Sequence, residues 1–86
     1  MIHELKTWPV YFGAVAAGKK TFEIRKDDRG FGIGDWLHLC EWDPQSGHYT
    51  GRYVNAEVTY ILRADESAIA AAAVAPGFCV LGLSLR

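Results

Sequence analysis

Alternation of apolar and polar side chains with a period of two restricts this chain most. It recurs in short stretches separated by glycine and proline. A period of two is a strand's period, with one face on a core and the other on water or a ligand. The most informative stretch is Gly18-Lys19-Lys20-Thr21-Phe22-Glu23-Ile24-Arg25-Lys26, which holds four of the chain's nine lysines and arginines. Read as a half-buried strand, it predicts Phe22 and Ile24 against the core. Thr21, Glu23 and Arg25 then form a row on the open face. A hydroxyl, a carboxylate and a guanidinium in line are either a site or an ordinary solvated strand face.

The remaining stretches organise around this one. His3 to Lys6 reads as a first strand with Leu5 inward and Glu4 and Lys6 outward. Thr7-Trp8-Pro9 reads as a helix start, with Thr7 or Trp8 as N-cap and proline in the first turn, where its missing N–H costs nothing. The helix runs to Ala17 with Phe12 and Val15 on one face, joined by Trp8 or Tyr11, and Gly18 stops it. Asp27 to Gly34 is a loop with three glycines. Trp36 to Trp42 is a strand apolar on both faces, with Leu37, Leu39 and Glu41 opposite Trp36, His38, Cys40 and Trp42. Asp43 to Gly47 is a turn. His48 to Leu62 is a strand interrupted at Gly51-Arg52, which suggests a bulge, with Val54, Ala56, Val58 and Tyr60 inward. Asp65 to Ala75 is an alanine-rich helix capped by Asp65 and stopped by Pro76-Gly77. Phe78 to Leu85 is a last strand. This predicts one α+β domain over residues 1–86, mainly β: a small bent barrel or roll with one or two short helices.

Composition narrows the function classes. Half the residues are hydrophobic and the formal net charge is −1. Non-specific nucleic-acid binders are far more basic, because their affinity comes from neutralised phosphates. A general nucleic-acid coat is therefore excluded, while a local basic patch around Lys19–Arg29 is not. No apolar run approaches the ~20 residues that span a bilayer, and no secretory leader is evident, so a cytoplasmic location and no membrane partner are expected. The two cysteines, Cys40 and Cys79, form no CxxC motif and read as free thiols. No pair among His3, His38, His48, Cys40 and Cys79 has metal-ligand spacing on a helix or in a CxxC. His38 and Cys40 share a strand face, but two ligands do not make a site, so neither a metal nor a cofactor is expected.

The residues also resemble a known family. Gly18-Lys19-Lys20-Thr21-Phe22-Glu23-Ile24-Arg25 resembles the G-x-K-x-x-E-x-R signature of ASCH domains, in the PUA-like superfamily. Phe31-Gly32-Ile33-Gly34-Asp35-Trp36-Leu37-His38-Leu39 resembles the xGDxLxL strand entry of the same group. Glu41 to Arg52 is similar to a small bacterial and phage subfamily of unassigned function. The resemblance implies a PUA-like bent β-barrel with a cleft beside strand 21–26. It also implies RNA, nucleotide or modified-base ligands. Some such relatives are hydrolases of acylated cytidine or of RNA, with a lysine followed three positions later by a threonine nucleophile. Lys20 matches that lysine, and Glu23 stands where the nucleophile would be.

The candidate ligand contacts are Lys20, Glu23 and Arg25, with Trp8 and Trp42 as stacking surfaces. The bland alternative for Glu23 and Arg25 is a structural ion pair at the rim, and for Lys20 a solvated lysine after a helix. An RNA- or nucleotide-binding module is the leading expectation. A metal-independent hydrolase using Lys20, Thr21 and Glu23 is the second, and a phage-derived accessory protein that binds a host protein is the third. Whether the chain is an enzyme, and its oligomeric state, stay open at this level.

Overall fold

The computed structural model describes all residues, Met1–Arg86. The elements in chain order are β1 (Ile2–Thr7), α1 (Pro9–Ala16), β2 (Phe22–Lys26), β3 (Trp36–Asp43), β4 (His48–Arg63), α2 (Ala68–Ala73) and β5 (Phe78–Leu85). The predicted order of strands and helices is thus the observed one. The strands form one sheet in the order β1-β3-β4-β5-β2. Only β1 and β3 run parallel; the other three pairings are antiparallel. The fold is mainly β, a curled sheet with two short helices.

The curl brings the two edge strands, β1 and β2, face to face without pairing their backbones. Arginines bridge the gap instead. Arg25 of β2 donates to the Lys6 carbonyl of β1 at 2.8 Å, and Arg29 donates to the Glu4 carbonyl at 3.1 Å. Two carbonyls on one free strand edge are thereby satisfied by guanidinium groups rather than by a sixth strand. This also blunts an edge that would otherwise template aggregation.

The core lies inside the curl. It gathers Leu5, Val15, Phe31, Leu37, Leu39, Val58, Ile61, Cys79 and Leu81. α1 lies over β3 and buries Phe12 and Val15 as expected. Trp8 and Tyr11 do not join them, and each is 55% exposed. α1 ends in a Schellman motif: Gly18 at φ 74° donates to Val15, and Lys19 donates to Ala14.

Three expectations are corrected. First, β2 is inverted. Glu23 is 4% exposed, while Phe22 and Ile24 are 42% and 59% exposed. The cause is register with β5, which sets Glu23 opposite Leu81 and Arg25 opposite Cys79, both core-facing residues. Period-2 alternation says that two faces differ, not which one turns inward. Second, Ile61 rather than Tyr60 faces the core, because a register shift between Val58 and Tyr60 adds a residue on β4 and flips the alternation. Third, α2 is shorter than predicted, and its cap is Ser67, whose Oγ accepts from the Ala70 N–H at 3.1 Å. Asp65 lies in the preceding turn. The expected break at Gly51 is present, at φ 90°, within a register shift between Cys40 and Trp42.

Candidate ligand cleft at the open seam

The seam between β1 and β2 also holds a cleft of about 570 Å³. Lys6, Thr7, Trp8, Tyr11, Lys20, Phe22, Glu23, Ile24 and Arg25 line it. Three chain segments supply these residues: the end of β1 with the first turn of α1, the turn after α1, and β2. Gly18 turns the chain back so that Lys20 enters beside β2.

Glu23 is the pivot. Its Oε1 accepts from Lys20 Nζ at 2.7 Å, and its Oε2 accepts from Arg25 Nε at 3.0 Å. Both bonds are charge-assisted, and such bonds are roughly twice as strong as neutral ones. Lys20 also donates to the Phe22 carbonyl at 2.8 Å. Besides its bond to Lys6, Arg25 Nη2 lies 3.4 Å from Thr7 Oγ1. Two cations and one carboxylate leave the cluster with one net positive charge. The lysine ammonium further lies 5.7 Å from the Tyr11 ring and 5.0 Å from the Phe22 ring. A positive floor under aromatic walls suits an anionic ligand with a planar ring.

Of the residues singled out from sequence, Lys20, Glu23, Arg25 and Trp8 come together here. Thr21 does not. It is exposed, its carbonyl accepts from the Leu83 N–H at 2.9 Å, and its side chain is not part of the cleft lining. The hydroxyl that does face Arg25 belongs to Thr7. Trp42 is on the outer face. Its ring meets Tyr49 edge-on at 4.9 Å and carries the Lys6 ammonium 4.0 Å above it. Thr7 and Tyr11 escaped the sequence reading as site residues, because no local pattern tells that β1 will lie across from β2.

Two further polar groups are buried on the inner face. Glu41 accepts from Thr50 Oγ1 at 2.7 Å. His3, 5% exposed, has its Nε2 2.8 Å from Asp35 Oδ2, and the Gly32 N–H donates to the same oxygen at 2.9 Å. The His3 contact first, then the Gly32 N–H, hold the Asp35 carboxyl down at about 2 against an ordinary 3.8. Asp35 thus ties the glycine loop to β1. Burial pushes both thiols, Cys40 and Cys79, upward, so neither is an activated nucleophile.

A family described as "Domain of unknown function (DUF3850)" matches residues 2–83. A relative described as "Uncharacterized 12.9 kDa protein in GpA 3'region", from Escherichia phage P2, is 48% identical over 58 residues. That match covers 67% of this chain and 51% of the relative, so it spans about half of the relative's length. No helix of the chain is long and apolar enough to cross a membrane.

Proposed function

The chain belongs to the DUF3850 family, and from the geometry of its seam cleft we propose that it is an RNA- or nucleotide-binding module of the ASCH, PUA-like kind. The observation that carries this reading is the pinned pair of cations. Glu23 fixes Lys20 and Arg25 from below, so a ligand meets donors whose ordering cost has already been met in folding. Lys20 keeps one ammonium hydrogen, and Arg25 keeps its Nη1 group, without a protein partner. A phosphate or a base carbonyl takes these donors, and Trp8, Tyr11 or Phe22 takes the face of the base, an interaction worth about 1–3 kcal/mol.

The test is titration of the protein with short single-stranded RNA and a panel of nucleoside monophosphates. Lys20→Ala is the clean probe, because Arg25 also holds the seam and its loss would mix binding with stability. Binding should weaken at least tenfold in Lys20→Ala, while the protein stays folded with a stability loss of about 1–3 kcal/mol, since buried Glu23 loses one charged partner and keeps Arg25. The salt dependence should correspond to about one or two phosphates. Absence of binding across the panel, or equal binding by Lys20→Ala, overturns the reading.

The 2.7 Å contact between Lys20 and Glu23 supports a second reading. A lysine and a carboxylate in direct contact can pass a proton, so the same cleft could serve a metal-independent hydrolase acting on a modified nucleoside or on RNA. Turnover of an acylated cytidine or of RNA, insensitive to chelators and lost in Lys20→Ala, would select it over simple binding.

A further inference from the structure

We propose that Glu4, His38 and Cys40 form a zinc site on the outer face of the sheet, opposite the seam cleft. The ligand atoms of these side chains lie within 4.8 Å of one another. Strand geometry brings them together. His38 and Cys40 are two residues apart on β3 and share its outer face. The parallel pairing of β1 with β3 sets Glu4 directly beside His38. Tetrahedral zinc holds its ligand atoms roughly 3.5 Å apart, and Glu4 is exposed, with no hydrogen bond holding its carboxylate away from the other two.

The surroundings favour a cation at this point. His38 Nδ1 lies 2.7 Å from Asn55 Oδ1 on β4. An amide oxygen only accepts, so that nitrogen carries the proton and Nε2 is left as the ligand atom. A hydrogen-bond partner on the second ring nitrogen is the usual support of a metal-bound histidine. Tyr53 steadies the other side of the ring, with centroids 4.7 Å apart. Lys6, the residue paired with Cys40 across the strands, does not neutralise the site. Its ammonium lies on the Trp42 ring instead.

One imidazole, one thiolate and one carboxylate make a borderline-soft set, the donor chemistry of zinc. The two anionic ligands balance the charge of a divalent ion, and the thiol proton leaves to solvent on binding. Three protein ligands leave a fourth position open. The register shift at Gly51 provides room there, a recess of about 130 Å³ beside Glu4 and Cys40; Arg52 also lines it, with its guanidinium held on Glu41 and the Phe12 ring. The site is independent of the seam cleft and stands or falls separately from the nucleotide reading.

The experiment is metal titration of the tag-free, reduced full chain with zinc and with cobalt. Zinc should bind with a stoichiometry of one, and cobalt should give the charge-transfer absorption of a thiolate ligand. Cys40 is the only thiol in reach, since Cys79 is wholly buried. Cys40→Ser should therefore abolish the cobalt band. Glu4→Gln, at an exposed position that does not endanger folding, should weaken binding, and Asn55→Ala should weaken it about 10–100-fold. Absence of stoichiometric uptake by the wild type overturns the proposal. So does uptake by Cys40→Ser and Glu4→Gln equal to that of the wild type, which would be adventitious binding.

Discussion

The seam cleft and the Glu4–His38–Cys40 cluster lie on opposite faces of the same small sheet and solve opposite electrostatic problems. In the cleft each charge is already partnered. Glu23 holds two cations, and those cations hold two backbone carbonyls between them. A ligand there competes only for spare N–H groups. On the outer face, three metal-ligating groups converge, and the nearby Arg52 is paired with Glu41 rather than with them. The first arrangement is an ordered network that accepts an anion. The second is a set of donors that wants a cation. Burial explains the difference: a carboxylate as enclosed as Glu23 has to find its countercharges within the protein, whereas exposed Glu4 has water.

The strongest way to break this contrast is to remove the pivot. Glu23→Ala leaves Lys20 and Arg25 facing one another over a buried gap. Removing one partner of a buried ion pair costs about 3–5 kcal/mol, and the partial exposure of Lys20 and Arg25 places this case at the low end. Urea denaturation measures it. A loss below about 1 kcal/mol would mean that the network is a solvated surface cluster and not a preorganised floor.

A smaller effect probes the β1–β3 pairing on which the outer cluster depends. Asp35 ties β1 to the loop entering β3 through His3. Its carboxyl is held down to about 2 from 3.8, so its stabilisation is complete above the ordinary value and disappears as pH falls through about 2. Melting temperatures of the wild type and Asp35→Asn should differ near neutrality and converge between about pH 4 and pH 2. A difference that stays constant over that range would show that the carboxylate charge is not what matters.

The smallest expected effect sharpens which face of β2 is which. Ile24→Ser should change stability by no more than about 0.5 kcal/mol, as surface substitutions do. A core-facing isoleucine would lose about 2–5 kcal/mol on a comparable truncation. Thermal denaturation separates the two outcomes.

The charged trio of the cleft was legible because one short segment, Lys20 to Arg25, carries it. Glu23 and Arg25, two apart on β2, share a face whatever the fold, and Lys20 lies close in sequence. Their orientation was not legible. The alternation around Phe22 and Ile24 has the same period whichever side turns inward, and the apolar pair looks like the core side by composition. Tyr60 illustrates a related loss, since a single inserted residue reverses every later position on the strand. The Glu4–His38–Cys40 cluster could not be read at all beyond its His38–Cys40 half. Its third ligand is 34 residues away and arrives through a parallel strand pairing.

By itself, then, the sequence determined the succession of elements, the glycine that ends α1, the break at Gly51 and the short-range set Lys20, Glu23 and Arg25. These follow from local propensity and from neighbours within a few residues. Tertiary structure alone decided which face of β2 is buried, that β1 and β2 meet across a seam closed by arginines, and that Glu4 stands beside His38. Those outcomes depend on strand register and sheet order, which arise from contacts between distant segments and leave no mark on any one of them.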